Sequence, residues 1–144
     1  MVDDLSIVSA VKDLQTLLRS IAPTLMEGSW AFATLPRGKP MPPGLNPLAT
    51  YQEAEGLSLL LDESDLARSA LPHAFFCRGI CLNVNPSLYA VGLLAAVSEV
   101  LAKAAMSINI VSAYHRDYIF VPAARVDEAL TLLKKLAAGP AAKK

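Results

Sequence analysis

The chain of 144 residues is poor in the side chains that usually carry chemistry: it has two cysteines, two histidines and one tryptophan. Thirteen basic residues balance thirteen acidic ones, and the lysines adjoin only as the isolated pairs Lys134-Lys135 and Lys143-Lys144. Phosphate neutralisation needs a concentrated positive patch, so nucleic acid is not an expected partner. The longest stretch without Asp, Glu, Lys or Arg runs from Gly79 to Ser98, and Asn83, Asn85, Pro86 and Ser87 cluster inside it. A helix in hydrocarbon would have to bury two amides and a proline there, so the segment reads as strand, loop and helix, with no membrane span. The start, Met1 to Val11, lacks the basic region and cleavage site of a secretory signal, which places the expected protein in the cytoplasm.

Cys77 and Cys81 are four apart in an apolar run. On a strand they stand ~13 Å apart at roughly 3.3 Å per residue. A disulfide needs Cα atoms within about 7 Å, so the pair reads as free thiols. His73 and His115 are too few to complete a zinc set with them. Phosphate loops, dinucleotide fingerprints and metal-binding helices are missing too, so neither a metal nor a cofactor is expected.

What the chain does have is apolar mass. It is 53% hydrophobic and 18% charged, enough to bury a core and too apolar for disorder. Ile7, Val11, Leu14, Leu18 and Ile21 recur at helical spacing and predict a helix over residues 4–21, limited by Pro23. Ser29–Leu35 alternates as a strand. From Pro36 to Pro47 come five of the ten prolines, a stiff loop. Leu48–Glu53 and Gly56–Leu61 are strand candidates, and Asp62 or Ser64 is placed to cap a short helix ending at Ala70.

Leu71-Pro72-His73 marks the expected division into residues 1–72 and 73–144. Beyond it, Ala74–Val84 reads as a strand and Asn85-Pro86-Ser87 as a loop. A helix over Leu88–Ala105 follows, with Val91, Leu94, Ala95, Ser98, Leu101 and Ala102 on one side. Ser107–Tyr114 and Tyr118–Pro122 are strands around the turn Tyr114–Asp117. A last helix, Val126–Ala138, stops at Gly139-Pro140. This β-α-β-β-α order lacks a final strand, and the first half has strands to spare, so both halves are expected to share one fold. The expected class is α+β, a mostly antiparallel sheet with helices packed on one face.

The run Asn83 to Leu94, then Ala105 to Tyr114 and Asp117 to Pro122, resembles an ACT domain. The first half resembles a family of tandem ACT-like pairs. The resemblance there lies in Asp13 to Leu18, Trp30 to Leu35 and Thr50 to Leu59. The resemblance implies ferredoxin-like βαββαβ repeats: a divergent amino-terminal half over 1–72 and an ACT domain over 73–144. It also implies a regulatory protein without catalytic activity that binds a small effector, an amino acid, and forms a homo-oligomer such as a homodimer. By the same resemblance the ligand would meet Asn83, Asn85, Ser87, Val91, Gly92 and Leu93, with Asn109, Ser112, Tyr114 and Asp117 from the strands. Gly92 has a physical reason, since without Cβ a ligand can approach the helix start, and exposed amides there favour a carboxylate. Cytosolic arginine sensors built from tandem ACT domains share the Ser112-Ala113-Tyr114 strand end and Asp117, which implies a partner for a cationic group. They carry an acid where this chain has Ala90, a departure that argues against arginine.

Other readings compete at each position. Asn83 and Asn85 beside a proline also serve turns. Asn109 in an apolar strand must find partners if buried. His115 and Asp117 are a catalytic pair only if a nucleophile joins them, and none is placed by sequence, so a polar hairpin tip is the plainer account. Glu53 and Glu55 read as solvated surface. Arg78 in an apolar strand must reach solvent, a carboxylate or an anion. The alternative to an effector-binding protein is a structural module that assembles through its sheet and binds no ligand.

Overall fold

The structure is a computed structural model that describes residues 14–83 and 91–139. Residues 4–13 of the expected first helix, the loop Asn85–Ser87 and the segment around Leu88 lie outside those residues. Two compact units emerge, Glu27–Arg78 and the combination of Met1–Met26 with Gly79–Lys144. Strand β5 (His73–Leu82) begins just after Pro72 and contributes residues to both units.

In the unit Glu27–Arg78 the strands are β2 (Trp30–Pro36), β3 (Ala49–Gln52), β4 (Gly56–Asp62) and the first part of β5, in spatial order β3-β4-β2-β5. Helix α2 (Glu63–Ser69) joins β4 to β5. Strand alternation puts Ala31, Ala33 and Leu35 opposite Leu61, Leu59 and Leu57, and directly opposed residues share a face. That face is closed by Leu66 of α2, with Leu45 and Leu71 packed at its margin. Asp62 caps α2 by accepting from the Asp65 N–H at 2.8 Å.

No helix joins β2 to β3. The proline-rich loop takes that place and is tied down by one buried carboxylate. Asp65 is 3% exposed. It accepts from the Asn46 N–H at 2.9 Å and pairs with Arg68, which also donates to the Gly44 carbonyl at 3.0 Å. The Asn46 amide first, and Arg68 second, hold the Asp65 carboxyl below the usual aspartate range.

The other unit contains α1 (Leu14–Ser20), β1 (Pro23–Leu25), the end of β5, α3 (Leu93–Lys103), β6 (Asn109–Ser112), β7 (Asp117–Pro122) and α4 (Val126–Ala138). Its order is β6-β7-β5, with β1 pairing β5 antiparallel through Pro23–Leu82, Thr24–Cys81 and Leu25–Ile80. The strand missing from the β-α-β-β-α order is therefore β1, contributed from the first half of the chain. Three residues opening on proline carry too little periodicity to be read as a strand. Helices cover one face: Ile80, Leu82, Ile119 and Val121 pack against Leu93, Val97, Leu101, Val126, Ala129 and Leu133, and Leu18 and Ile21 join them.

The helix Val126–Ala138 has the limits expected. On α3 the buried stripe is Leu93, Val97 and Leu101, and of the expected side of Val91, Leu94, Ala95, Ser98, Leu101 and Ala102 only Leu101 belongs to it. That stretch is apolar almost all round, so its periodicity cannot choose a side. Arg125 fastens α4 to the end of α3, donating to the carbonyls of Ala105 at 3.0 Å and Ala104 at 2.8 Å while gripping Glu128 through two nitrogens. That grip holds the Glu128 carboxyl below its ordinary range. Both cysteines are free. Burial pushes the Cys77 thiol up to about 11, and its Sγ lies 3.4 Å from the Trp30 carbonyl.

Leu59→Ala or Leu133→Ala is expected to cost about 2–5 kcal/mol in urea unfolding, the usual range for a truncated core leucine. Because the Asp65 carboxyl lies lower in the folded chain than in the unfolded one, its contribution is present above the ordinary aspartate range and is lost as pH falls through the folded value. An Asp65→Asn variant is expected to melt lower at neutral pH and to lose part of the wild-type fall in melting temperature on acidification. An unchanged acid limb would contradict this.

Candidate functional site

Of the residues singled out by sequence, Gly92, Ser112, Tyr114 and Asp117 stand at one end of the unit built from β1, β5, β6 and β7. Two observations orient the strands. A side-chain carbon on Gly79 would lie 2.9 Å from the Phe120 ring. Cys81 feels the charge of Arg116. Strand β5 therefore rises as β7 descends, and its carboxyl end stands beside the turn between β6 and β7. That turn is closed by the Ala113 N–H on the Arg116 carbonyl at 3.0 Å.

Asp117 opens β7 opposite Ser112, and both lie on the face that carries Ile119 and Val121. Asp117 is only 7% exposed, yet no hydrogen bond or ion pair to its carboxylate is found among the described residues. No buried side-chain oxygen among the described residues is left unpartnered, so the Asp117 carboxylate still reaches solvent at this end of the sheet. At the same end begins α3. Its cap is Gly92, in the left-handed region at φ 92°, and no side chain caps the first-turn amides. Those amides carry the positive end of the helix dipole.

Gly92 has two reasons to be glycine. Its φ strains any residue with a Cβ, and such a Cβ would stand 2.9 Å from Leu14 Cδ2. Leu14 of α1 thus rests on the start of α3, a contact that sequence spacing alone could not reveal. Val91, just before it, is 45% exposed.

The remaining candidates separate. Leu93 is a core residue, 2% exposed, packed with Val97 and Leu101. Asn109 sits opposite Phe120, on the other face of the sheet from Asp117. Tyr114 is exposed and meets His115 edge-on, with ring centroids 4.9 Å apart. The amide of Asn83 is engaged structurally. Its nitrogen donates to the Ala22 carbonyl at 2.7 Å and to the Thr24 hydroxyl, and its oxygen accepts from Cys81 Sγ at 3.4 Å. Asn85 and Ser87 lie outside the described residues. Burial raises the Cys81 thiol, and Arg116 opposes that shift. Among the described residues no group of three or more His, Cys, Asp or Glu is placed to hold a metal ion. No helix of the described residues is long and apolar enough to cross a membrane.

Comparison with known proteins gives this geometry a family. An ACT-domain profile matches residues 9–78 and a second ACT-domain profile matches residues 77–135. A crystal structure of a Vibrio cholerae protein of unknown function, described as a possible transport protein, is similar at 34% identity. That match has a TM-score of 0.79 and covers 89% of this chain and 98% of that one. An Agrobacterium tumefaciens protein is similar at 16% identity with a TM-score of 0.69, over 81% of this chain and 89% of that one. The regulatory subunit of aspartate kinase from Thermus flavus shares the fold at 12% identity and a TM-score of 0.54, over 81% of this chain and 96% of that one. No curated protein matches the chain. The fold is the ferredoxin-like ACT architecture, and the chain belongs to the ACT-domain family, with two such domains in tandem.

Replacing Gly92 by alanine is expected to destabilise the chain by about 1–3 kcal/mol, the range for backbone strain at a sparsely populated conformation. Denaturant unfolding measures it, and a double variant with Leu14→Ala, which removes the contact but not the strain, should recover only part of the loss.

Proposed function

We propose that this protein is a regulator that binds an amino acid at the end of the second ACT domain and responds by changing its association with itself or with another protein. The observation that carries the reading is Asp117, a largely covered residue whose carboxylate keeps access to solvent and has no hydrogen bond or ion pair among the described residues, at the same end as the uncapped start of α3. An amino acid carries the complementary charges: its ammonium suits the carboxylate, and its carboxylate suits the helix amides. Ser112, opposite Asp117, supplies a hydroxyl within the same end. Family membership supports a regulatory role without catalysis, and so does the shared fold of the aspartate kinase regulatory subunit. Ligand binding changes association when the two assembly states differ in affinity for the ligand. A homodimer in the cytoplasm is the assembly in view.

A thermal-shift screen against the twenty amino acids tests this. One of them, at a hundredfold its dissociation constant, is expected to add about 2.7 kcal/mol of stability. Asp117→Asn should retain the fold and lose the shift. If none of the twenty moves the melting temperature, the reading fails in favour of a module that assembles without a ligand.

A further inference from the structure

We propose that residues 39–43, the run Lys39-Pro40-Met41-Pro42-Pro43, form a docking strip for a partner protein whose groove is lined by aromatic side chains and carries an acid at one end. The proposal uses no residue of the amino-acid site and stands independently of that reading. Its ground is the conformation that the prolines impose. Their rings fix φ at about −65° at Pro40, Pro42 and Pro43. Each proline also excludes the helical region at the residue before it, which here means Lys39, Met41 and Pro42. The strip is thereby held extended, and residues 39–42 lie in no helix, strand or turn. Such a run adopts the polyproline II helix, whose residues recur every ~3 positions, so Pro40 and Pro43 share one edge.

The strip is fastened at both ends. Before it, the Lys39 N–H on the Pro36 carbonyl at 3.1 Å closes a turn in which Gly38 stands at φ 82°, as a type II turn demands. The Arg37 N–H ties that turn to the Glu55 carbonyl at 3.1 Å. After the strip, Gly44 turns the chain at φ 80°, and Arg68 and Asp65 hold Gly44 and Asn46. A partner meets a segment that is already ordered, so little conformational entropy is lost on binding.

The groups of the strip are not spent within the chain. Lys39, Pro40, Met41 and Pro43 are exposed, Met41 to 46%. The carbonyls of residues 39–43 accept no hydrogen bond among the described residues. Polyproline-binding grooves take this combination, with aromatic rings packed on the proline edge. Arg37 and Lys39 are the only charged residues between Pro36 and Gln52, and both stand at the amino end of the strip. The complementary groove is therefore acidic at that end, which also sets the direction in which the strip lies.

Isolated SH3 and WW domains supply such grooves and serve as probes. Each is titrated into the labelled full chain, followed by amide and methyl correlation spectra. Saturable shifts are expected at the Met41 methyl and at the amides of Gly38, Lys39, Met41 and Gly44 with at least one SH3 domain bearing an acidic pocket, while Gly92 and Ser112 stay in place. Lys39→Glu is expected to weaken that binding about tenfold, and Pro40→Ala combined with Pro43→Ala by about tenfold or more, the usual loss for a central anchor. Lys39 is exposed, so Lys39→Glu keeps the fold, checked by an unchanged melting temperature, and tests the proposal even if the proline variant loses order. A Met41 signal unmoved by every probe, or shifts confined to other residues, would overturn the docking strip. Binding undiminished in Lys39→Glu would overturn the acidic end of the groove.

Discussion

The second domain depends on three backbone pairs. Strand β5 has an edge whose N–H and C=O groups must be satisfied, and among the described residues beyond β5 no strand pairs with that edge. Pro23, Thr24 and Leu25 do, and the Met26 N–H extends the pairing onto the Gly79 carbonyl at 2.9 Å. Once β1 is seated, Leu25 faces the same core as Ile80 and Leu82, and α1 is brought over the bundle with Leu18 and Ile21 buried. Leu14 then reaches the start of α3. The form of the candidate site follows from that edge.

The first domain solves a different problem with one ion pair. A crossover without a helix leaves polar backbone and little apolar surface to bury. Asp65 and Arg68, three apart on α2, gather the loop through Asn46 and Gly44. Leu45 from the loop then packs against the margin of the core together with Leu71. A carboxylate so placed contributes by position, since removing it leaves the Asn46 N–H and the Arg68 guanidinium without the acceptor they share.

Much of this was legible in the sequence wherever periodicity and punctuation agreed. The helix Val126–Ala138 was readable to the residue, because an amphipathic stripe ends at Gly139-Pro140. Asp62, one of two candidate caps, and the β6–β7 hairpin were readable for similar reasons. Where the signal was one-sided or long-range it failed. The buried face of α3 was ambiguous in a segment rich in alanine and leucine, and β1 was too short to stand out. At the site, family resemblance brought Gly92, Ser112 and Asp117 to one end, but it could not separate Leu93, turned into the core, or Asn109, on the opposite face. Nor could spacing foretell that Asn83 spends its amide on Ala22 and Thr24, because those partners come from the far end of the chain.

The supply of β1 from the amino terminus also sets an order of assembly. Residues 27–78 are contiguous, and their strands and helix can come together as soon as they leave the ribosome. Strand β1 is synthesised earlier still, yet its partner β5 and the helices that bury Leu25 come later. It therefore stays without its partner until β5 has been made. Its final docking closes a loop of more than fifty residues, and a domain already folded inside that loop shortens the effective span to be closed. The insertion thus makes the first domain a folding spacer for the second: a chain interrupted within residues 27–78 would slow completion of a sheet whose other strands lie beyond it.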